Sequence, residues 1–145
     1  MSSDSFRSIT LASSLSELSR ARAEILSFIE GHVSEMDSSH IILSVDEALS
    51  NIIRHGYGEK SDGLVVLDMH LYDSSFEFTL SDTAPLYNPL ENAAAQNEPV
   101  DGANGGFGIG VYLRFMDVRY EINENGGNRL ILKWEKKNEV STESD

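Results

Sequence analysis

"VDEALSNIIRHGY", residues 45–57, carries two patterns along one helix. At roughly 100° per residue, Ile41, Ile42, Val45, Ala48, Leu49, Ile52 and Ile53 fall on a broad apolar arc that should pack on a core. Glu47, Asn51 and His55 follow one another at four-residue steps on the opposite arc, spread over only about 80°. A carboxylate, a carboxamide and an imidazole so placed can act on one object. Polar residues four apart are also the ordinary dress of a solvent-facing helix, so the rest of the chain has to decide between a wet surface and the wall of a site.

The chain has 145 residues, the size of one ordinary domain, and its 40% hydrophobic content is enough for a real core. A single globular unit over residues 1–137 is expected, with 138–145 a disordered acidic tail. No apolar run approaches the roughly 20 residues that span a bilayer. The opening "MSSDSFRSIT" lacks the basic-then-apolar pattern of a secretory signal, so a cytoplasmic location is expected. With no cysteine, disulfides and thiolate chemistry are excluded, and a closed zinc site would need the four scattered histidines. Any metal is expected to be held by oxygen. A formal charge of −13 repels polyanions, which argues against nucleic-acid binding. A small anion can still bind where local amides or a divalent cation offset that field.

Along the chain, "FRSITLA" (6–12) reads as a first strand. A helix follows, with Ser13 or Ser14 as cap and apolar spacing at Leu15, Leu18, Ala21, Ile25, Phe28 and Ile29. The second helix is expected from about Ser39 to His55, stopped by Gly56 in a left-handed cap position. "GLVVLDMHLYD" and "SFEFTLSD" read as an antiparallel hairpin, and "VRYEINE" and "RLILKWE" as another joined by "NGGN". Between the hairpins lies a long connection holding all three prolines, then "FGIGVYLRFMD" with helical spacing. The order β-α-α-β-β-loop-α-β-β predicts an α+β two-layer sandwich, a mixed, mostly antiparallel sheet with helices on one face.

Three further signals come in an order that makes one site. Asp82 closes a well-formed strand in "LSDTAP"; the proline-bearing loop follows; then "GANGGFGIG" (102–110) runs glycines into a helix, where unpaired amides and the helix dipole can seat phosphate. Singly, Asp82 reads as a turn former and the glycines as punctuation.

Together, Glu-x-x-x-Asn on a helix, Asp at a strand end, a lid loop and a Gly-rich loop into a helix resemble the GHKL ATP-binding domain, the Bergerat fold. "DEALSNIIRHGY" and "GGFGIGVYLRFMDVRYEINENGGNRLILKW" look specifically like the anti-sigma factor serine/threonine kinases of that superfamily. The resemblance implies Asn51 on a Mg²⁺ that bridges the ATP phosphates, and Glu47 as the base that accepts a hydroxyl proton. It implies Asp82 as acceptor for the adenine amino group. It adds His55, Ala84, Gly105, Gly106, Phe107, Gly108, Ile109 and Gly110 as further nucleotide contacts, with residues 86–105 as a lid. Two departures stand out: Ala84 occupies the place of a glycine in the family's Asp-x-Gly, and Asn104 that of an arginine carried by some members. Arg114 is a candidate replacement for that cation, and Arg54 receives no role.

The expected function is an ATP-dependent serine/threonine kinase that phosphorylates a STAS-domain anti-sigma antagonist and sequesters a sigma factor, with neither nucleic acid nor membrane as partner and a homodimer as a family habit. The rival expectation is a non-catalytic partner-switching module on the same fold.

Overall fold

The structure is a computed structural model and describes residues 5–58, 60, 62–91 and 108–136. Strand β1 (Ser5–Ala12) leads through a 3₁₀ turn at Leu15–Glu17 into helix α1 (Leu18–Ile29), then α2 (Glu35–Asn51) and a π-helical turn at Ile52–Gly56. Strands β2 (Leu64–Leu71) and β3 (Ser75–Asp82) come next, followed by α3 (Gly108–Phe115), β4 (Asp117–Ile122) and β5 (Asn128–Glu135). The five strands form one sheet in the order β1-β2-β3-β5-β4, and every pairing is antiparallel. No parallel pair makes the sheet mixed among the described residues.

Local chemistry sets the helix ends. Ser14 Oγ accepts the Ser16 N–H at 3.3 Å, and Glu17 accepts the Ala12 N–H at 3.0 Å, so the chain turns tightly out of β1. Helix α1 ends at Gly31, whose φ of +87° lies where an L side chain is strained. Helix α2 begins at Glu35, four residues before the expected Ser39, because Ser34 caps it by accepting the Asp37 N–H at 3.0 Å.

Strand alternation sorts the sheet into two faces. Leu11, Leu67, Met69, Phe76, Phe78, Leu80, Leu130, Leu132 and Trp134 are buried in one core with Ala21, Ile25 and Ile29 of α1 and Ile41, Val45 and Leu49 of α2. The α+β two-layer arrangement expected from the sequence is therefore what folds. Asp68, Glu77, Thr79, Ser81 and Arg129 line the opposite, polar face around a shallow depression of about 360 Å³. The pairing Asp82↔Asn128 closes the core-side face at one end, where apolar residues give way to polar ones. No helix of the described residues is long and apolar enough to cross a membrane. The tail expected at 138–145 lies outside the described residues.

Candidate functional site

Helix α2 buries Ile41, Ser44, Val45, Ala48, Leu49 and Ser50 and leaves Glu47 and Asn51 half-buried on its other side. Burial pushes the Glu47 carboxyl above its usual range and the neighbouring Asp46 adds to this, while the positive charge of Arg54 opposes both. Asp46 is itself drawn toward α1, where Arg22 Nη1 lies 2.7 Å from its Oδ1. Among the described residues no hydrogen bond holds the Glu47 carboxylate. It is a carboxyl of raised pKa, one helical turn from a carboxamide.

The helix then widens. Tyr57 N–H bonds to Ile52 O at 3.0 Å, an i to i+5 step that puts an extra residue into the last turn. This turn carries the two motif halves to each other. Tyr57 Oη donates to Leu64 O at 2.8 Å and accepts the Thr83 N–H at 2.9 Å, pinning the end of the helical segment to the residue after β3. Gly56 is absent from the positive-φ glycines, so the left-handed cap expected there is corrected: Gly58, with φ +62°, takes that conformation. Gly56 serves a close approach instead, since a Cβ on it would stand 3.3 Å from the Ala84 Cβ.

Asp82 is 5% exposed. Its Oδ1 accepts the Ala84 N–H at 2.9 Å and an Asn128 Nδ2–H at 2.8 Å. The Asn128 backbone N–H also favours the charged carboxylate, yet burial outweighs all three donors and raises the pKa. The charge is thus short of partners as it stands. A carboxylate has about four acceptor positions, and one more N–H donor would relieve it.

Asn128 organises this end. Besides Asp82, its Nδ2 reaches Ala84 O at 3.3 Å and Pro85 O at 3.1 Å, and its Oδ1 accepts the Tyr87 N–H at 2.9 Å and the Tyr120 hydroxyl. The path of residues 84–87, where the chain leaves the sheet, hangs on this one carboxamide. Gly127 beside it admits no side chain: a Cβ there would fall 1.8 Å from Asp82 O.

The structure therefore sets the π turn that follows Glu47 and Asn51 against Thr83 and Ala84, the residues next to Asp82. His55 and Arg54 are exposed on the π turn, and among the described residues no hydrogen bond ties His55 to Glu47 or Asn51. The extra residue in the turn breaks the 100° step on which His55 was placed in line. Gly105, Gly106 and Phe107 lie outside the described residues, as do Asn104 and most of the expected lid. Gly108 and Ile109 open α3, and Gly110 is exposed with open space where a Cβ would stand. Arg114 is exposed on α3. Sequence reasoning missed Asn128 and Tyr57. Asn128 was hidden inside "NGGN", which reads as turn chemistry, and Tyr57 looks like an ordinary core aromatic.

Among the described residues no cluster of three or more His, Asp or Glu side chains could hold a metal. The donor set, one half-buried carboxamide oxygen, fits a hard cation that arrives with phosphate oxygens and waters, not one caged by protein.

An open five-stranded antiparallel sheet thus carries the Glu47 and Asn51 helix on one face and a buried Asp82 at a strand end. Residues 11–134 match the histidine kinase-like ATPase domain family, and the chain belongs to it. It is 31% identical over 121 residues to the anti-sigma F factor of Priestia megaterium, covering 78% of this chain and 80% of that one. It is 28% identical to the anti-sigma F factors of Clostridium novyi (strain NT), over 78% of this chain and 82% of the relative, and of Clostridium beijerinckii, over 90% and 94%. The catalytic domain of histidine kinase ThkA, in a nucleotide-free crystal form, superposes with a TM-score of 0.54 at 14% identity, over 91% of this chain and 96% of that one. A second nucleotide-free form gives 0.52. At that identity the likeness concerns the fold.

Proposed function

We propose that the protein is an ATP-dependent serine/threonine kinase of the anti-sigma factor type, which phosphorylates a STAS-domain antagonist and sequesters a sigma factor. The observation that carries this is the pair on α2: a half-buried Glu47 of raised pKa one turn from Asn51, in a chain whose relatives are named anti-sigma F factors. A binding module needs the metal ligand less and the base not at all.

Asp82 would accept the adenine amino proton and set the register of the nucleotide. Asn51 would hold Mg²⁺ through its carboxamide oxygen, and the cation supplies charge neutralisation on the phosphates when bound. Glu47 would take the proton of the attacking hydroxyl as the new O–P bond forms and the bond to the leaving oxygen of ADP breaks. The glycine amides of residues 105–110 would close on the phosphates at the start of α3.

Transfer of labelled phosphate from ATP to a cognate antagonist tests the reading directly. Glu47→Ala should abolish labelling, and equal labelling by wild type and variant would remove the base assignment. Self-association belongs to the same proposal and is read by sedimentation.

A non-catalytic partner-switching module is the second reading, favoured by Asn104 standing where some relatives carry a cation. Calorimetric titration separates the two: no Mg-ATP binding on the order of millimolar nucleotide would leave partner binding as the only function.

A further inference from the structure

Strand β4 lies at the outer edge of the sheet and pairs on one side only, with β5. The hairpin that joins them fixes where its backbone groups point. Asn123 N–H bonds to Gly127 O at 2.7 Å, and an antiparallel ladder alternates, so Glu121, Arg119 and Asp117 also turn their N–H and C=O groups inward to β5. Val118, Tyr120 and Ile122 turn theirs outward, and among the described residues no hydrogen bond meets them. Such a row is a template for another strand.

The side chains along this edge are complementary to themselves. With Tyr120 set opposite Tyr120 of an antiparallel second copy, Val118 falls opposite Ile122 and Arg119 opposite Glu121, each pair made twice. The three outward-facing residues then meet one another, which is the condition for exchanging both backbone hydrogen bonds. Tyr120 and Val118 pack against the core and Ile122, on their face, is 60% exposed; Arg119 and Glu121 stand on the polar face, also exposed. Other registers are worse. Centring on Arg119 or on Glu121 keeps the backbone match but sets like charges opposite each other, and centring between two residues sets outward backbone groups against inward ones.

We infer that the outer edge of β4 is where a second copy of this chain pairs, in the register that sets Tyr120 opposite Tyr120 and joins two sheets into one. The inference rests on the self-association included in the proposed function and names its surface. Opposite charges across the edge select the register, and the apolar pair covers Ile122. Tyr120, at the centre, also donates its hydroxyl to Asn128, the residue that holds Asp82, so the paired edge connects to the buried carboxylate.

The experiment is sedimentation equilibrium of the full chain up to about 1 mM, with thermal melting to follow folding. Wild type should associate. Arg119→Glu and Glu121→Arg each create two like-charge pairs across the edge and should each weaken association about tenfold. An equimolar mixture of the two variants, and the variant carrying both changes, bring opposite charges together again and should return to within about threefold of wild type. If both single variants associate as wild type does, self-association uses another surface and the inference is overturned. If the single variants dissociate and neither the mixture nor the double variant recovers, the register is wrong and the inference falls. A wild type that stays monomeric removes self-association and this inference with it, while ATP binding and phosphoryl transfer, measured separately, decide the kinase reading.

Discussion

The methyl of Ala84 packs toward the bare α-carbon of Gly56: a Cβ built on Gly56 would stand 3.3 Å from that methyl. A side chain sits where the resemblance implies a glycine, and a glycine in the π turn makes room for it. The extra carbon is absorbed between two protein segments.

Exchange at either partner should reveal this complementarity. Ala84→Gly should leave Mg-ATP affinity within about threefold of wild type, less than 1 kcal/mol. Gly56→Ala should destabilise by about 1–3 kcal/mol through overpacking, and the double variant should recover most of that. Calorimetry and denaturant melts measure the two effects, and a large gain in affinity for Ala84→Gly would mean the methyl obstructs the nucleotide.

Gly127→Ala should be severe, because its Cβ would fall 1.8 Å from Asp82 O and the contact is with backbone that cannot rotate away. A loss of about 2 kcal/mol or more in stability is expected, together with loss of ATP binding as Asp82 is displaced. Denaturant melts and calorimetry read the two losses.

Asp82→Asn should divide stability from function. The folded carboxyl has a pKa raised above its ordinary 3.8, so the folded state holds the proton more tightly than the unfolded one. The contribution of this carboxyl to stability is therefore greatest below the ordinary value and is lost as pH rises through the raised one. Asparagine carries no charge to desolvate, so its melting temperature relative to wild type should climb across that window and level off above it. ATP affinity should drop about 10–100-fold, since an amide nitrogen in place of an oxygen opposes the adenine amino group.

Glu47→Gln should lower phosphoryl transfer by about 10²–10⁴ while leaving Mg-ATP affinity largely intact. Wild-type activity should fall as pH drops through the raised Glu47 pKa, where the base becomes protonated. Arg54→Ala removes the charge that opposes that rise, so the acid limb of the pH profile should move to higher pH. A limb that stays in place would mean another group controls it.

Much of the architecture was legible in residue order. Alternation in 64–71 and 75–82 declared the central hairpin, helical spacing declared α2, and the succession of Glu47, Asn51, Asp82 and the glycines carried the resemblance to the ATPase family that residues 11–134 match. These are local or ordered signals, and period 2 against period 3.6 survives any tertiary context. What no one-dimensional pattern holds is which atoms meet after folding. The π turn moved His55 out of its stripe; Asn128, 46 positions from Asp82, became its partner through strand register; Phe115 came to stack on His40 because α3 packs back along α2. By itself the sequence determined that a carboxylate, a carboxamide and an aspartate would be available on rigid elements. The tertiary structure alone decided which neighbours orient and desolvate them, because hydrogen bonding and burial depend on distances through space that chain separation does not encode.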